Sequence, residues 1–368
     1  MSIAIGQLFF IGLDGTSLTA QEADFIVKND IGGVTLFGRN LKTPQELHKL
    51  CSDLHNLKSK MPSKAPPFIA IDMEGGRVHR LKPPFTQWPS LGKVAALDST
   101  SVAFKFANMM GAELRAMGVN LDFAPCVDVL SNPKNELIGD RSLGADPEFV
   151  AKMASALVRG YIKAGVVACA KHFPGHGNTI IDSHFDLPVE DVDMATLESR
   201  ELIPFKKTFR ARMDMVMTAH IKYKNIDPQY PATLSPIIIK KLLRETLRYR
   251  NLIISDDLDM KALTNNYKRE EIPVLALQAG CDILLYCNEP SSPPIGLEVV
   301  RKALADKSVS LAQVQESLKR VETLKRETLS DAASLPFDEA AKVIGHPDHL
   351  RLAKAILEGH APEDLKVT

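Results

Sequence analysis

The sequence predicts a closed (β/α)8, or TIM, barrel, and three observations point there. Short apolar runs recur eight times between residues 5 and 287, helical patterns separate them, and polar outliers sit at the C-terminal ends of the runs. Near-continuous apolar runs suit a parallel sheet covered by helices, where both faces of each strand are buried. Eight runs, most of them followed by a helix, favour closure over an open sheet.

The runs are "IGQLFFIG" near 5–12, "GGVTLF" at 32–37, "PFIAID" at 67–72 and "GVNLDFAPCVDV" at 118–129. They continue with "VVACAKHF" at 166–173, "MVMTAH" at 215–220, "NLIISDDL" at 251–258 and "CDILLYC" at 281–287. Between them, "TPQELHKLCSDLHNL" places Leu47, Leu50 and Leu54 at helical spacing, and Thr43 followed by Glu46 resembles a capping box. "DPEFVAKMASALVRGYIKAG" carries Pro147 near its start and Gly165 as a stop, and Ser235-Pro236 opens a further helix. Past residue 290, "EPSSPPIG" reads as a loop, while "LAQVQESLKRVETLKRETL" and "HPDHLRLAKAILEG" read as amphipathic helices. The expectation is a single domain, with a barrel core over about 5–290 and a C-terminal helical region over about 291–368 packed outside it.

Composition narrows the function classes. Apolar residues make up 45% of the 368, enough for a large core. Basic and acidic side chains balance at 45 each, so no electrostatic footprint points to nucleic acid or an anionic membrane. No apolar run is long enough to span a bilayer, and the opening "MSIAIGQLFFIGLDG" has no basic leader, which suits a strand better than a signal peptide. Five dispersed cysteines read as buried free thiols in a reducing cytoplasm. The oligomeric expectation is a monomer.

In a barrel the active face is built from strand C-termini and the loops beyond them. There lie Asp72 and Glu74 after the third run, Asp128 after the fourth, and Lys171 and His172 in the fifth. His220 follows the sixth, and Asp256 and Asp257 end the seventh. Five consecutive strands ending this way are not solvent decoration.

The stretch "AKHFPGHGNTIIDSH" at 170–184 admits several readings. His172, His176, His184 and Asp182 could converge on a metal, although Pro174 and Gly175 break the helical spacing and Lys171 adds an unfavourable charge. "GHG" and "DMEGGRV" lack the spacing of a phosphate or dinucleotide loop; their glycines suit positive φ or let the backbone pass close to a ligand. Asp182 and His184, two apart, can pair so that the carboxylate orients the imidazole for proton exchange, although a surface Asp–His pair is the bland alternative. Asp256, at the end of a core strand, is rigid enough for a nucleophile, with helix capping by "SDD" as the alternative. One mobile acid/base and one rigid carboxylate match the division of labour in glycoside cleavage.

The blocks "GGVTLFGRN", "IDMEGGRVHRL", "NLDFAPCVDV", "GDRSLGADP", "AKHFPGHGNTIIDSH" and "IISDDLDM" closely resemble the β-N-acetylhexosaminidases of glycoside hydrolase family three, of the bacterial peptidoglycan-recycling type. The resemblance covers roughly residues 5–290. It implies Asp256 as nucleophile, His184 as acid/base and Asp182 as its orienting partner. It also implies substrate binding by Asp72, Arg80, Arg141, Lys171 and His172, with His220 lining the same pocket. No cofactor and no metal are implied. The implied substrate is a small muropeptide or disaccharide bearing terminal N-acetylglucosamine (GlcNAc) on 1,6-anhydro-N-acetylmuramic acid, cleaved with retention in the cytoplasm. A phosphorylase or a silent sugar-binding barrel on the same scaffold are the rivals. Met73, where the family often has glutamine, and Asn251, where it favours glycine, are departures that touch packing more than chemistry.

Overall fold

A computed structural model describes residues 3–183, 185–329, 335–360 and 362. Its centre is a closed parallel barrel of eight strands. The strands are β1 Phe9–Gly12, β2 Gly33–Leu36, β3 Phe68–Ile71, β4 Leu121–Asp122, β5 Val167–Phe173, β6 Met215–Thr218, β7 Leu252–Asp257 and β8 Ile283–Tyr286. Each pairs with its neighbours in chain order, and β8 returns to β1 with Phe9 opposite Leu284. Every residue of β2, β3, β6 and β8 is buried, as continuous apolar runs require.

A main helix follows each strand: α1 Ala20–Asn29, α2 Pro44–Asn56, α3 Thr100–Ala116, α4 Pro147–Ala164, α5 Leu202–Arg210, α6 Ile237–Thr246, α7 Ile272–Ala279 and α8 Ser292–Ala305. The expected signals on α4 hold: Pro147 occupies its first turn and Gly165 ends it at φ 75°. Ser235 caps α6 by accepting from Ile238 N at 3.1 Å. On α2, Thr43 accepts from Glu46 N, but the Glu46 carboxylate bonds the Thr43 hydroxyl and not its backbone N–H. The full reciprocal box forms instead on α1, between Thr19 and Glu22.

The segment "EPSSPPIG" is not simply a loop. Pro293 and Pro294 stand in the first turn of α8, where a missing N–H is harmless, so the eighth barrel helix lies beyond residue 290. Three more helices follow: α9 Leu311–Thr328, α10 Phe337–Val343 and α11 Pro347–Leu357. Helix α9 crosses the N-terminal end of the barrel, where buried Lys325 donates to Gln7 Oε1 at 2.8 Å and lies 5.2 Å from the Phe68 ring. Helices α10 and α11 pack on α3, where buried Glu113 accepts from Gly345 N and bonds His349. All five cysteines are buried and free. Among the described residues no helix is long and apolar enough to cross a membrane.

Candidate active site

A cleft of about 320 Å³ opens at the C-terminal ends of the strands. Asp72, just past β3, Lys171 and His172 in β5, and Asp256 in β7 share its wall.

Charge at its base is organised around a buried carboxylate. Glu74 takes Arg141 in a bidentate grip, Nε to Oε2 and Nη2 to Oε1 at 2.9 Å each, and takes Lys171 Nζ at 2.6 Å. Lys171 also reaches Asp72 Oδ1 at 2.6 Å. Burial alone would raise Glu74, but Arg141 and Lys171 outweigh it and hold the carboxyl well below its ordinary range. Burial would likewise neutralise Lys171, yet Asp72 and Glu74 hold the ammonium well above its ordinary value. Arg80 stands farther off, 4.0 Å from Asp72.

A second hub lies behind His172. Asp128 accepts from His172 Nδ1 at 2.7 Å, from His172 N at 3.2 Å, from His176 N at 2.6 Å and from Cys126 Sγ at 3.2 Å. Burial opposes ionisation here as well, but His172 and His176 pull the carboxyl down to about 2. With Nδ1 donating to Asp128, His172 turns Nε2 toward Arg141 Nη2, 3.4 Å away. Cys126, Asp128 and His172 bring possible ligand atoms within 4.8 Å of one another. Burial pushes the Cys126 thiol well up and the other two groups are hydrogen-bonded together, so the donor set suits a hydrogen-bonded cluster and not a cation.

The loop after β5 is pressed against this hub. A Cβ on Gly177 would fall 1.7 Å from Val129 O, and Gly175 adopts φ 144°. Gly177 therefore serves close approach to the chain's own backbone, and Gly175 a positive φ against the Glu201 side chain. Both nitrogens of His176 are engaged, Nδ1 with Thr179 Oγ1 at 2.7 Å and Nε2 with Ser183 Oγ at 3.3 Å, which removes this ring from any metal set.

At the end of β7 the two aspartates divide. Asp257 is buried, and its carboxyl accepts from Asn288 Nδ2 at 2.8 Å, Asp259 N at 3.1 Å and Cys287 N at 3.3 Å. Asp256 is half-buried and lines the cleft. Neither caps a helix, since the short helix Lys261–Thr264 that follows has Met260 at its N-cap and no side-chain cap. Both line the cleft, but Asp257 is the more deeply held, while Asp256 accepts from Asp257 N at 2.8 Å through Oδ1.

The comparisons fit this geometry. The model described as the glycosyl hydrolase family 3 N terminal domain matches residues 2–324. The chain belongs to glycosyl hydrolase family 3. A β-hexosaminidase of Alkalilimnicola ehrlichii is 38% identical over 290 residues, which cover 77% of this chain and 81% of that protein. A family 3 β-N-acetylglucosaminidase from a Paenibacillus species superposes with a TM-score of 0.93 at 33% identity, over 98% of this chain and 68% of that one. NagZ from Neisseria gonorrhoeae, solved with N-trifluoroacetyl-D-glucosamine, gives 0.79 at 29% identity, over 96% and 98% of the two chains.

In this family 3 hydrolase, Asp72, Arg80, Arg141, Lys171, His172 and Asp256 all line one cleft. Asp182 lies on the loop beside Ser183, which also lines it, whereas His184 lies outside the described residues. His220 does not line the cleft: it is fully buried behind β7, bonding Asp257 O at 2.9 Å and Thr233 Oγ1 at 2.8 Å. It is a core histidine that steadies the "SDD" backbone. Glu74 and Asp128 stand out in the sequence as strand-end charges, yet no motif spacing marks them as hubs. Met73 is buried and donates its N–H to Asp122, and Asn251 bonds Met213 O, so both departures from the family pattern are packing features.

Proposed function

We propose that this β-N-acetylhexosaminidase removes a terminal, non-reducing β-linked GlcNAc from 1,6-anhydro-N-acetylmuramic acid, free or peptide-bearing, by a retaining double displacement. The observation that carries the reading is that Asp256, at the rigid end of β7, lines the same cleft as the Asp72–Lys171–Glu74–Arg141 network.

That network is preorganised for a polyhydroxylated ring. Lys171 directs two of its three N–H groups to Asp72 and Glu74, which leaves the third for a sugar hydroxyl. Arg141 is engaged by Glu74, Leu137 O and His172, and retains one Nη1 hydrogen for the same purpose. Asp72 accepts from the sugar. Held so, the anomeric carbon faces Asp256, whose carboxylate attacks it while protonated His184, oriented by Asp182, gives its proton to the departing muramic-acid oxygen. Neutral His184 then takes a proton from the water that releases GlcNAc. A histidine suits both steps because its ordinary pKa of about 6.5 lies near working pH. A muropeptide substrate draws support from the likeness to NagZ over nearly the full length of both chains. A monomer acting in the cytoplasm completes the reading.

The deciding experiment incubates the purified protein with GlcNAc-1,6-anhydro-N-acetylmuramic acid, with and without phosphate, and follows the products by NMR. Release of the β-anomer first, in both buffers, is the expected result. A phosphate-dependent sugar phosphate would replace hydrolysis by phosphorolysis, and binding without turnover would end the catalytic reading.

A further inference from the structure

We infer that His176 is a positioning residue for the acid/base dyad, its buried ring bridging Thr179 and Ser183 so that the chain next to Asp182 is fixed against the cleft. The inference rests on the Asp182–His184 reading above and extends it to a histidine of the cleft wall whose two ring nitrogens are both taken by protein hydroxyls.

The ring cannot drift. Its backbone N–H donates to Asp128 Oδ1 at 2.6 Å, and its carbonyl accepts from Asn135 Nδ2 at 2.7 Å. Asn135 is itself oriented by Ile138 N, which donates to its Oδ1 at 2.9 Å, and its Nδ2 also reaches Thr179 Oγ1 at 3.3 Å. His176 is 2% exposed, so its nitrogens have protein partners in place of water. In either neutral tautomer one nitrogen donates and the other accepts, and the hydroxyls of Thr179 and Ser183 rotate to match. Burial, then the neighbouring His172, pushes the imidazolium down to about 4, so the ring is neutral at working pH. A neutral ring adds no positive charge behind a dyad that must itself cycle between charged and neutral forms.

Ser183 is the point of delivery. Its hydroxyl bonds His176 Nε2 on the β5 side, and its carbonyl accepts from Ala262 N at 3.2 Å on the β7 side. Ala262 follows Asp256 by six positions in the turn and short helix after β7. One buried serine therefore ties the loop bearing the dyad both to the strand that supplies the sugar-binding Lys171 and to the segment beyond the nucleophile. Proton delivery in a glycosidase is sensitive to small displacements, so a post at this place acts on the acid step more than on sugar binding.

The test compares two β-N-acetylglucosaminides on the full-length protein. The 2,4-dinitrophenyl aglycone leaves without protonation, and the methyl aglycone needs it. In Ser183→Ala, kcat/KM for the methyl glycoside should fall about tenfold, the value of one buried hydrogen bond, while the dinitrophenyl substrate changes less than about twofold. Binding of free GlcNAc by calorimetry should be unchanged. Adding His176→Phe to Ser183→Ala should do no further harm to the methyl-to-dinitrophenyl ratio, as expected of two members of one unit. Equal losses on both substrates, or none on either, overturn the inference, and Ser183→Ala decides even if the His176 variant does not fold. Asp182→Asn separates the two layers. If it shows the leaving-group dependence and Ser183→Ala does not, only the role of His176 fails; if neither shows it, the dyad itself is wrong.

Discussion

Arg141 and Glu74 meet edge to edge at the base of the cleft, with two parallel hydrogen bonds of 2.9 Å between side chains that are 10% and 1% exposed. Such a fork fixes direction as well as distance. It makes Glu74 a rigid second anchor for Lys171, so Asp72 need not neutralise that ammonium alone and keeps acceptor capacity for a substrate hydroxyl. The pair sets the positions of Lys171 and Asp72, which the proposed reaction uses with Arg141 itself to hold the sugar.

Glu74→Gln should therefore cost stability as well as binding. Removing one partner of a buried ion pair strands the others, at about 3 kcal/mol or more. The wild-type contribution follows the depressed carboxyl: present above the unfolded value, lost as pH falls through the lower folded one. Urea unfolding at pH 7 should show the deficit, and the gap between wild type and variant should narrow as the medium is acidified below about pH 4. A deficit that is constant with pH would mean that charge is not its source.

Asp122 and Asp128 make a controlled pair on and after β4. Asp122 is fully buried, accepts from Met73 N at 2.9 Å through Oδ1, and is pushed well up by burial, so the fold disfavours its charged form. Asp128 is equally buried but held down to about 2. Asparagine mimics the first and not the second. Asp122→Asn should be as stable as wild type or more so at pH 7, since the unfolded variant no longer gains by ionising. Asp128→Asn should lose about 2 kcal/mol, because the fold holds this carboxyl down to about 2 against an ordinary value near 3.9, and should misplace His172. Chemical denaturation of the two variants side by side decides this, and equal losses would refute the assignment of charge.

Lys325 tests the other end of the barrel. Burial drives its ammonium down to about 7, with Asp30 the opposing influence. A base with a lowered folded pKa binds fewer protons folded than unfolded between that value and its ordinary value of about 10.4, so stability rises with pH across that window. Wild type should gain about 2 kcal/mol between pH 7 and pH 9 from this residue. Lys325→Met should flatten the rise while leaving kcat/KM intact, because α9 lies at the face opposite the cleft. Guanidinium unfolding at the two pH values measures it.

How much of this was legible in the sequence depends on whether a residue's role is local. The eight strands are legible because burial on both faces writes itself into a continuous apolar run, and Asp72, Lys171, His172 and Asp256 because strand ends are local features too. The hubs are different. Glu74 meets Arg141 across 67 positions, and Asp128 meets His172 across 44, distances at which spacing carries no signal. The same holds for His220, whose place behind β7 depends on Asp257, 37 positions away. "EPSSPPIG" misleads for another reason: prolines and serines mark loops and helix starts alike, and only the packing of residues 294–305 against the barrel separates the two.

The two aspartates of "SDD" carry the sharpest contrast. Asp257 is buried and raised to about 7, first by desolvation and then by the nearby charges of Asp259 and Asp256. In the unfolded chain it ionises near 4, so between about pH 4 and pH 7 the unfolded state gains and native stability falls as pH rises. Asp257→Asn keeps an acceptor for Cys287 N or Asp259 N, removes that pH dependence, and should retain measurable turnover. It should also lose an alkaline decline in kcat/KM near pH 7, which ionisation of a second carboxylate beside Asp256 would otherwise produce. Asp256→Asn should instead lose about a thousandfold or more in kcat with little change in the affinity for GlcNAc, since attack on the anomeric carbon has no substitute. Mass spectrometry after trapping with a slow fluorosugar should find the label on Asp256 in the wild type and in Asp257→Asn, and nowhere in Asp256→Asn. Label on Asp257 would exchange the two roles and leave the cleft geometry as the feature needing a new account.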